Sequence, residues 1–559
     1  MCLKSDSGKA LKMKLSNRFA RAQHLPPGTG FVIVFWLAAS SIACAACIVP
    51  PAMQASLKSN PTGEAYTSLG NWFADQKQFD CAANAFASAF RQQPKSASLA
   101  YLWGLSLYSA GRDLKAMTPL EHAEQLDSSD IRPHLVLGVL LEKLKKRAEA
   151  EAEWRAALAI DPDSAPALDG LSQALLNQKD YAAVVALLEK PFGGRTRSEL
   201  QSLNLGIAYA GTARLDEAAR VLREGLNTVP DSLPIADELS VVLMLLSRTE
   251  EAFAVLDRAL EKHPDDQPTQ LLYLRSLVSN HSDKAPQFAR KLLANYPNHW
   301  EVLYLNGILE SREGRYEPAR LHLVRSVAAN PTSFKAHNAL GTVLAQLGDL
   351  PAAREHLEKA IALGDNQPEV EYDLAKVLQR LGEPAQARET LRVYQRLKNL
   401  QSAKTQAAGK AEVGDQAIAA GNAAQAASLY REALESDPDE PLLRYKLAKA
   451  LDKLQDFAGE KTELQQAIKL NPDLAEAQNQ MGYLAARSGT PADAEGYFRA
   501  AVHASPSFVV AWVNLAATLA SEAKWKDAHQ ALDRALEIDP DNAEARKLSQ
   551  ALAEAHAGP

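Results

Sequence analysis

A period of 34 residues runs through most of this chain of 559 residues, and it limits the possible fold more than any other feature. If Gly63 is position 1, a small residue returns at positions 8, 20 and 27, a large apolar residue at position 24 and proline at position 32. Position 8 holds glycine in eight of the copies: Gly70, Gly104, Gly138, Gly206, Gly307, Gly341, Gly414 and Gly482. A fixed period of this length predicts stacked helical hairpins, each burying its apolar face against the next.

The residue types within each copy predict two helices, here called helix A and helix B. Ala, Leu, Glu, Gln, Lys and Arg dominate the chain after about residue 62, and these residues lose little side-chain freedom in a helix. In the first copy Tyr66, Leu69 and Phe73 form one apolar stripe on helix A. Segments such as Asp161-Pro162-Asp163 predict the end of one copy and the start of the next, because proline disfavours helical geometry in the preceding residue.

The pattern closely resembles the tetratricopeptide repeat family, with fourteen copies between residues 63 and 542. The resemblance implies an all-α fold, a right-handed superhelical α-solenoid of about fourteen helical hairpins with a C-terminal capping helix. The register slips between Tyr394 and Gly414, where a stretch without Pro or Gly predicts an extended helix instead of a linker. The predicted organisation is a first array at 63–398, a helical junction at 399–406, a second array at 407–542, and a capping helix and tail at 543–559.

The amino-terminal segment predicts export. Residues 1–30 carry six Lys and Arg against Asp6, and an apolar run follows at 31–49. These are the parts of a secretory signal, and Ala43 or Ala46 ends a stretch of small residues suitable for cleavage. The run is also long enough to span a bilayer, and lipidation of Cys44 or Cys47 is a third alternative. In each case the basic side stays cytoplasmic, so the repeats are expected outside the cytoplasm, periplasmic or membrane-anchored.

Cysteine usage predicts no structural disulfide. The chain has four cysteines. Cys2 lies in the basic tail, Cys44 and Cys47 lie in the apolar run, and Cys81 lies on a helix of the first copy. No pair is therefore expected within the exported part.

Charge and motifs argue against catalysis and nucleic-acid binding. The net charge of −7 hides a body of −12 once the basic tail is removed, so a duplex nucleic acid is an unfavourable partner. There is no glycine-rich phosphate loop and no H-E-x-x-H spacing. Because nearly every residue after 62 belongs to a repeat, we expect no enzyme activity, no cofactor and no metal.

The resemblance implies that positions 2, 5, 9, 12 and 13 of helix A line a concave groove. In the early copies these positions are largely apolar: Tyr101, Leu105, Tyr108, Leu135, Val139, Leu203, Ile207, Val241 and Met244. In later copies they are polar and often basic, and these are the predicted peptide-binding residues: Tyr372, Lys376, Arg380, Tyr445, Lys449, Lys453, Asn479, Tyr483 and Arg487. Rings flanked by cationic donors suit an extended peptide that carries carboxylates. The alternative is that the apolar positions pack within the superhelix and the basic ones are solvated.

The sequence thus predicts an exported scaffold that binds an unidentified polypeptide partner in its groove. Two alternatives remain open. One is a structural spacer that self-associates, and the other is an accessory subunit of a bacterial envelope or polysaccharide assembly. Membrane contact is expected only through residues 31–49.

Overall fold

The computed structural model describes residues 47–189, 196–364, 367–539 and 542–556, and in this part of the chain every regular element is a helix. The predicted basic tail and all but the last three residues of the apolar run lie outside the described residues. None of the described helices is both long and apolar enough to cross a membrane. The helices are α1 (Pro51–Ser59), α2 (Gly63–Asp75), α3 (Phe79–Gln92), α4 (Ala97–Ser109), α5 (Asp113–Leu126), α6 (Ile131–Lys143), α7 (Arg147–Ile160), α8 (Ala165–Asn177), α9 (Tyr181–Leu188), α10 (Glu199–Gly211), α11 (Leu215–Thr228), α12 (Leu233–Leu245), α13 (Thr249–Lys262), α14 (Gln267–Ser279), α15 (Ala285–Asn295), α16 (Trp300–Arg312), α17 (Tyr316–Ala329), α18 (Phe334–Leu347), α19 (Leu350–Ala362), α20 (Pro368–Arg380), α21 (Pro384–Ala419), α22 (Ala423–Ser436), α23 (Pro441–Lys453), α24 (Phe457–Leu470), α25 (Ala475–Arg487), α26 (Pro491–Ala504), α27 (Val509–Ser521), α28 (Trp525–Ile538) and α29 (Ala543–His556).

The described helices follow the predicted order of helix A and helix B, which confirms the all-α solenoid of paired helices. Helices α2 to α28 supply fourteen pairs, because the long helix α21 serves as helix B of the tenth copy and helix A of the eleventh. Helix α29 follows the last pair where the capping helix was predicted. The chain divides into two compact units, one up to Arg248 and one from Thr249, here called unit 1 and unit 2. The predicted junction at 399–406 lies inside α21, and the division into two arrays there stays a prediction.

Glycine at position 8 sets how closely the two helices of a pair approach. A Cβ atom added to Gly206 would lie 2.5 Å from the Leu222 side chain, and one added to Gly482 would lie 2.7 Å from the Phe498 ring. In both pairs the large partner is the buried residue at position 24. This observation agrees with the predicted role of small residues at this position, since a Cβ atom at Gly206 or Gly482 would force the two helices of that pair apart.

The turns between helix A and helix B share one backbone conformation. A residue with left-handed φ lies in the turn of each described pair, and the residue type varies: Gly348 has φ 88° while Ala213 has φ 61°. Serines near the start of helix A accept backbone N–H groups, as Ser232 does from Ile235 and Ser333 does from Ala336. These caps and turns repeat the same local geometry in both units.

A lead-in helix, α1, precedes the first copy, and a disulfide joins the chain before α1 to that copy. The sequence predicted neither feature. Cys47 and Cys81 are joined by a disulfide with a Cα–Cα distance of 5.6 Å. Met53 and Leu57 of α1 pack against the core of the first copy. The expectation of no structural disulfide was wrong because Cys47 was assigned to the apolar run. Cys47 lies one repeat period, 34 residues, before Cys81, and the chain around α1 places it beside α3.

Candidate functional site

The first group of predicted binding residues lies on α20. The Tyr372 ring is 43% exposed and its centre lies 5.2 Å from that of Tyr394 on α21. Lys376 places its Nζ atom 4.6 Å from the centre of the Tyr372 ring and also pairs with Asp373 at 2.8 Å. A cation over a ring face is an attractive contact, and Lys398 on α21 makes a similar one with its Nζ atom 5.4 Å from the centre of the Tyr394 ring.

Arg380, the third residue of this group, has a structural contact as well. Its Nη1 atom donates to the backbone carbonyl of Ala345 near the end of α18 at 2.6 Å. Arg312 makes the same contact two helix pairs earlier in the array, donating to the Val278 carbonyl at 2.7 Å. Position 13 of helix A therefore links consecutive copies, because a helix leaves its last carbonyl groups without partners inside the helix. Sequence reasoning assigned this position to ligand binding alone.

The second group lies on α23. Tyr445 is half-buried, and burial raises its pKa to about 12, with a smaller contribution from the Glu476 carboxylate. Its hydroxyl is therefore protonated at neutral pH and available as a hydrogen-bond donor. Lys449 is exposed with its Nζ atom 5.7 Å from the centre of the Tyr445 ring, and Lys453 is exposed near the end of the helix.

The third group lies on α25 and is centred on Arg487. Its guanidinium carbon lies 4.2 Å from the centre of the Phe457 ring and 5.5 Å from that of Tyr483. Its Nη1 atom pairs with Asp452 of α23 at 3.2 Å. Tyr483 is 45% exposed, so the cluster offers an open ring face beside a cation. Sequence reasoning missed Phe457 because this residue begins a helix B.

The structure connects these groups only in part. Asp452 and Arg487 join the groups on α23 and α25, and Asn479 accepts a hydrogen bond from Asn514 on α27 at 3.0 Å. The group on α20 instead contacts α21 through Tyr372 and Tyr394. Because α21 has 36 residues and a length of about 54 Å, it separates α20 from α23 along the chain. The nine residues therefore form two clusters rather than one continuous ladder.

The apolar positions of the early copies are largely covered. Leu203 and Ile207 on α10 are 6% and 7% exposed, and Val241 on α12 is 7% exposed. Helix α10 contacts both α8 and α12 directly. In these copies the observation favours the alternative that the apolar positions pack within the array. Tyr101 and Tyr108 on α4 remain half-buried, with Arg132 over the first ring at 4.8 Å.

Unit 1 also contains a group of potential metal ligands that the sequence did not indicate. The ligand atoms of Glu124, His134 and Glu153 all lie within 4.8 Å of one another in the part of the chain that the structure describes. His134 is buried and its Nδ1 atom lies 2.8 Å from Glu153. This hydrogen bond raises the pKa of His134, whereas burial raises the pKa of Glu124. A hydrogen bond between the His134 imidazole and the Glu153 carboxylate, which joins α6 to α7, accounts for the geometry without an ion.

The aromatic and cationic clusters present tyrosine rings, ammonium groups and guanidinium groups at the surface of unit 2. Two models described as tetratricopeptide repeat match the chain. One matches residues 344–405, 417–482 and 485–552, and the other matches residues 67–131, 304–368 and 461–507.

Two known proteins show more distant similarity. The N-terminal acetyltransferase A complex auxiliary subunit NAA15 of Arabidopsis thaliana is 23% identical over 273 residues, covering 45% of this chain and 30% of that protein. The chain thus spans less than a third of the length of this relative. The crystal structure of the APC/C hetero-tetramer Cut9-Hcn1 matches 98% of this chain and 96% of that chain with 15% identity and a TM-score of 0.33. A TM-score of this size does not establish a shared overall shape.

Proposed function

This chain belongs to the tetratricopeptide repeat family, and we propose that it is an exported, non-catalytic scaffold that binds a polypeptide partner through the clusters on α20, α23 and α25. Proteins of this family are protein-interaction scaffolds. The specific binding surface and the compartment are the parts proposed here.

The observation that best supports the binding surface is the cluster around Arg487. Two aromatic rings flank its guanidinium group, Tyr483 is exposed, and Lys449 lies on the neighbouring helix A. A guanidinium group fits a carboxylate with two parallel hydrogen bonds, and ring faces cover apolar groups of an extended peptide. A peptide with acidic and apolar side chains in alternation is therefore the expected ligand.

The test is a charge reversal at this cluster. Lys449→Glu combined with Arg487→Glu is expected to lose capture of a partner that the unaltered protein retains in pull-downs from its native cells, measured by quantitative mass spectrometry. Lys461→Glu combined with Lys469→Glu is the matched control, because both lysines are exposed on α24 and the change in net charge is the same. Circular dichroism checks that helical content is unchanged. Equal capture by the two double variants contradicts the proposed surface.

The disulfide supports the proposed compartment. Structural disulfides persist in oxidising environments and are rare in the cytosol. Cys47 directly follows Ala46, so cleavage between these residues would leave the disulfide intact and remove Cys2 and Cys44. A lipid thioether on Cys47 is incompatible with the disulfide, so of the two lipidation alternatives only Cys44 fits.

Thiol counting tests this proposal directly. Protein from native cells, trapped with a thiol reagent before lysis, is expected to show no free thiol before reduction and two after it, because cleavage after Ala46 leaves only Cys47 and Cys81. Amino-terminal sequencing is expected to find Cys47 at or near the start. Recovery of both cysteines as free thiols contradicts the exported location, and a Cys81→Ser variant identifies the signal of Cys47.

A second candidate function is an accessory subunit of an enzyme assembly. The name of the relative with 23% identity describes an auxiliary subunit, although this chain matches only 30% of that protein. If an enzyme activity co-purifies with the unaltered protein but not with the Lys449 and Arg487 double variant, the accessory-subunit hypothesis is favoured over a free-standing scaffold. Homogeneous self-association with no partner favours the spacer.

A further inference from the structure

Two imidazole rings face each other between the two helices of the ninth copy. His337 lies at position 4 of helix A, on α18, and His356 lies at position 23, on the helix B α19. Their Nδ1 atoms are 3.0 Å apart, and their ring centres are 5.2 Å apart. His337 is 6% exposed and His356 is half-buried, so water replaces this contact poorly when it is lost.

The same two positions carry opposite charges in other copies. In copy three His134 at position 4 lies 2.8 Å from the carboxylate of Glu153 at position 23. In copy twelve Arg444 at position 4 donates to the carboxylate of Glu463 at position 23 at 2.9 Å. Copy nine differs from these two copies because an imidazole, that of His356, replaces the carboxylate at position 23.

The surrounding hydrogen bonds decide where the protons of the pair lie. The Nε2 atom of His337 lies 3.1 Å from the carbonyl oxygen of Pro331 in the turn before α18. A carbonyl oxygen only accepts, so Nε2 carries the hydrogen and Nδ1 of the neutral ring has a lone pair. The Nδ1–H group of His356 therefore donates to Nδ1 of His337.

This arrangement accepts one added proton but not two. A first proton on the Nε2 atom of His356 leaves the bond between the two Nδ1 atoms intact. A second proton, on Nδ1 of His337, would place two N–H groups and two positive charges against each other across 3.0 Å. The contact between α18 and α19 is then lost.

The groups around the pair do not offset a second positive charge. Burial lowers the pKa of His356, the charge of His337 lowers it further, and Glu355 on the same helix acts in the opposite direction to a smaller extent. On α17, Val327 holds the register position at which copy two has Glu124. On α20, burial raises the pKa of Glu371, and neither imidazole contributes to that shift.

Other carboxylates on the helices that contact α18 and α19 have cationic or imidazole partners of their own. They are Glu301 with Arg275, Glu310 with His322, Glu317 with Arg320, Glu358 with Arg354, and Asp373 with Lys376. The pair in copy nine therefore lacks the carboxylate that stabilises a charged side chain at position 4 in copies three and twelve.

We propose that the contact between His337 and His356 makes copy nine a pH-sensitive segment of the array, which opens more readily when the surroundings become acidic. Free histidine becomes charged near pH 6.5, so the two histidines of the opened copy take up two protons while the folded pair takes up one. The state that binds more protons gains as the pH falls. The stability of copy nine is therefore present above about pH 6.5 and declines below it.

Copy three should respond with the opposite sign. The hydrogen bond with Glu153 raises the pKa of His134, so protonation of this histidine favours the folded state. Opening of copy nine would also reach the next copy, because Arg380 on α20 donates to the Ala345 carbonyl on α18. The proposal concerns the stability of copy nine alone and does not rest on the proposed function.

The test measures hydrogen exchange by segment in the full chain at pH 7 and pH 5, corrected for the pH dependence of exchange in free amides. The opening equilibrium constant of α18 and α19 is expected to rise by about tenfold at pH 5, because the folded pair excludes one of two protons. The segments of α6 and α7 are expected to show no such rise.

Two variants assign the effect to the pair. His356→Glu recreates the arrangement of copy three and is expected to reverse the sign, so that α18 and α19 open less at pH 5 than at pH 7. His337→Gln is expected to remove most of the rise and to keep the bond to the Pro331 carbonyl, since Gln478 at the same position of copy thirteen donates to the Pro472 carbonyl at 2.8 Å.

His322→Gln is the matched control, because His322 holds position 23 of the preceding copy and is paired with Glu310. It is expected to leave the rise in α18 and α19 unchanged, and circular dichroism at pH 7 checks that each variant is folded. A rise of less than about twofold in the unaltered protein overturns the proposal. An equal rise in the unaltered protein, His356→Glu and His337→Gln also overturns it, because other groups would then be responsible.

Discussion

Helix A faces two different environments in the two units although it carries the same repeat register. At positions 5 and 9 of α10 in unit 1, Leu203 and Ile207 are almost fully buried. At the same positions of α20 and α25 in unit 2, Tyr372 and Tyr483 are 43% and 45% exposed. The register fixes which side chains point to this face, while contacts with neighbouring helices decide whether they are covered.

Polar side chains between helices accompany the close packing in unit 1. Asn204 on α10 donates to the Ser172 hydroxyl on α8 at 2.9 Å, and both residues are buried. Gln201 and Ser198 both donate to one carboxylate oxygen of Asp169 at 2.9 Å. Small polar residues let helices approach and satisfy each other's hydrogen bonds, so unit 1 uses this face for its own packing. In α20, α23 and α25 of unit 2 the same face keeps rings and cations in contact with solvent.

Charge insertion at position 9 should give the largest difference between the units. Ile207→Lys places an unpaired ammonium group in a buried site and is expected to lower the free energy of unfolding by about 3–5 kcal/mol. The reciprocal Lys449→Ile is expected to change it by no more than about 0.5 kcal/mol, since Lys449 is exposed. Urea unfolding followed by circular dichroism measures both. Similar losses for the two variants contradict the difference in packing.

A methyl group at position 8 should affect both units equally. Gly206→Ala and Gly482→Ala each place a Cβ atom within 2.7 Å of a large buried side chain, and each is expected to cost about 1–3 kcal/mol. Gly496→Ala on α26 is the control, because a Cβ atom there meets nothing within 4 Å. It should stabilise the helix by about 0.5–1 kcal/mol. A clear loss of unfolding free energy in only one unit, measured by urea unfolding, would show that the packing around position 8 differs between the units.

Lowering the pH should destabilise unit 2 through Glu495 and stabilise unit 1 through Asp169. In unit 2, hydrogen bonds from Lys524 and Arg499 lower the pKa of Glu495 to about 2, so its stabilising contribution is complete above pH 4.5 and is lost as the pH falls toward 2. In unit 1, burial raises the pKa of Asp169 above 3.8, so protonation favours the folded state and stability rises as the pH falls through that pKa.

Hydrogen exchange by segment at pH 6 and pH 3.5 separates these effects. Glu495→Gln is expected to remove about 1 kcal/mol of the acid-induced loss of protection in α26. The effect is no larger because solvent screens the cationic partners of Glu495. Asp169→Asn is expected to remove the acid-induced gain in α8. An unchanged pH dependence in either variant argues against the assigned contribution of that carboxylate.

The smallest effect is expected in the turns. Left-handed φ at Ala213 in unit 1 is strained for a residue with a side chain, whereas the equivalent Gly348 in unit 2 is not. Ala213→Gly is expected to raise stability by up to about 1 kcal/mol, and Gly348→Ala is expected to lower it by about 1 kcal/mol. Thermal unfolding of both variants checks the signs. A loss with Ala213→Gly would mean that chain entropy outweighs the strain.

The repeating contacts could be predicted from sequence because they are local and recur. A glycine at position 8 faces a large side chain at position 24 of the same pair, as Gly206 faces Leu222, so the period itself carries the information. The helix pairs and the capping helix follow from the same register. The helix through 399–406 was predicted for a similar reason, since that stretch lacks helix-breaking residues.

Only the tertiary structure decided which faces are covered and which residues meet across copies. Leu203 and Tyr372 hold the same register position, and Leu203 is buried because α10 contacts the A helices on both sides of it, α8 and α12. Arg487 reaches Asp452 one copy away, and Leu391 is uncovered because the chain does not turn back after it. The sequence alone determined the repeat, because each pair repeats one local packing rule. The disulfide and the polar contacts of unit 1 depend on distances between elements, which no local pattern encodes.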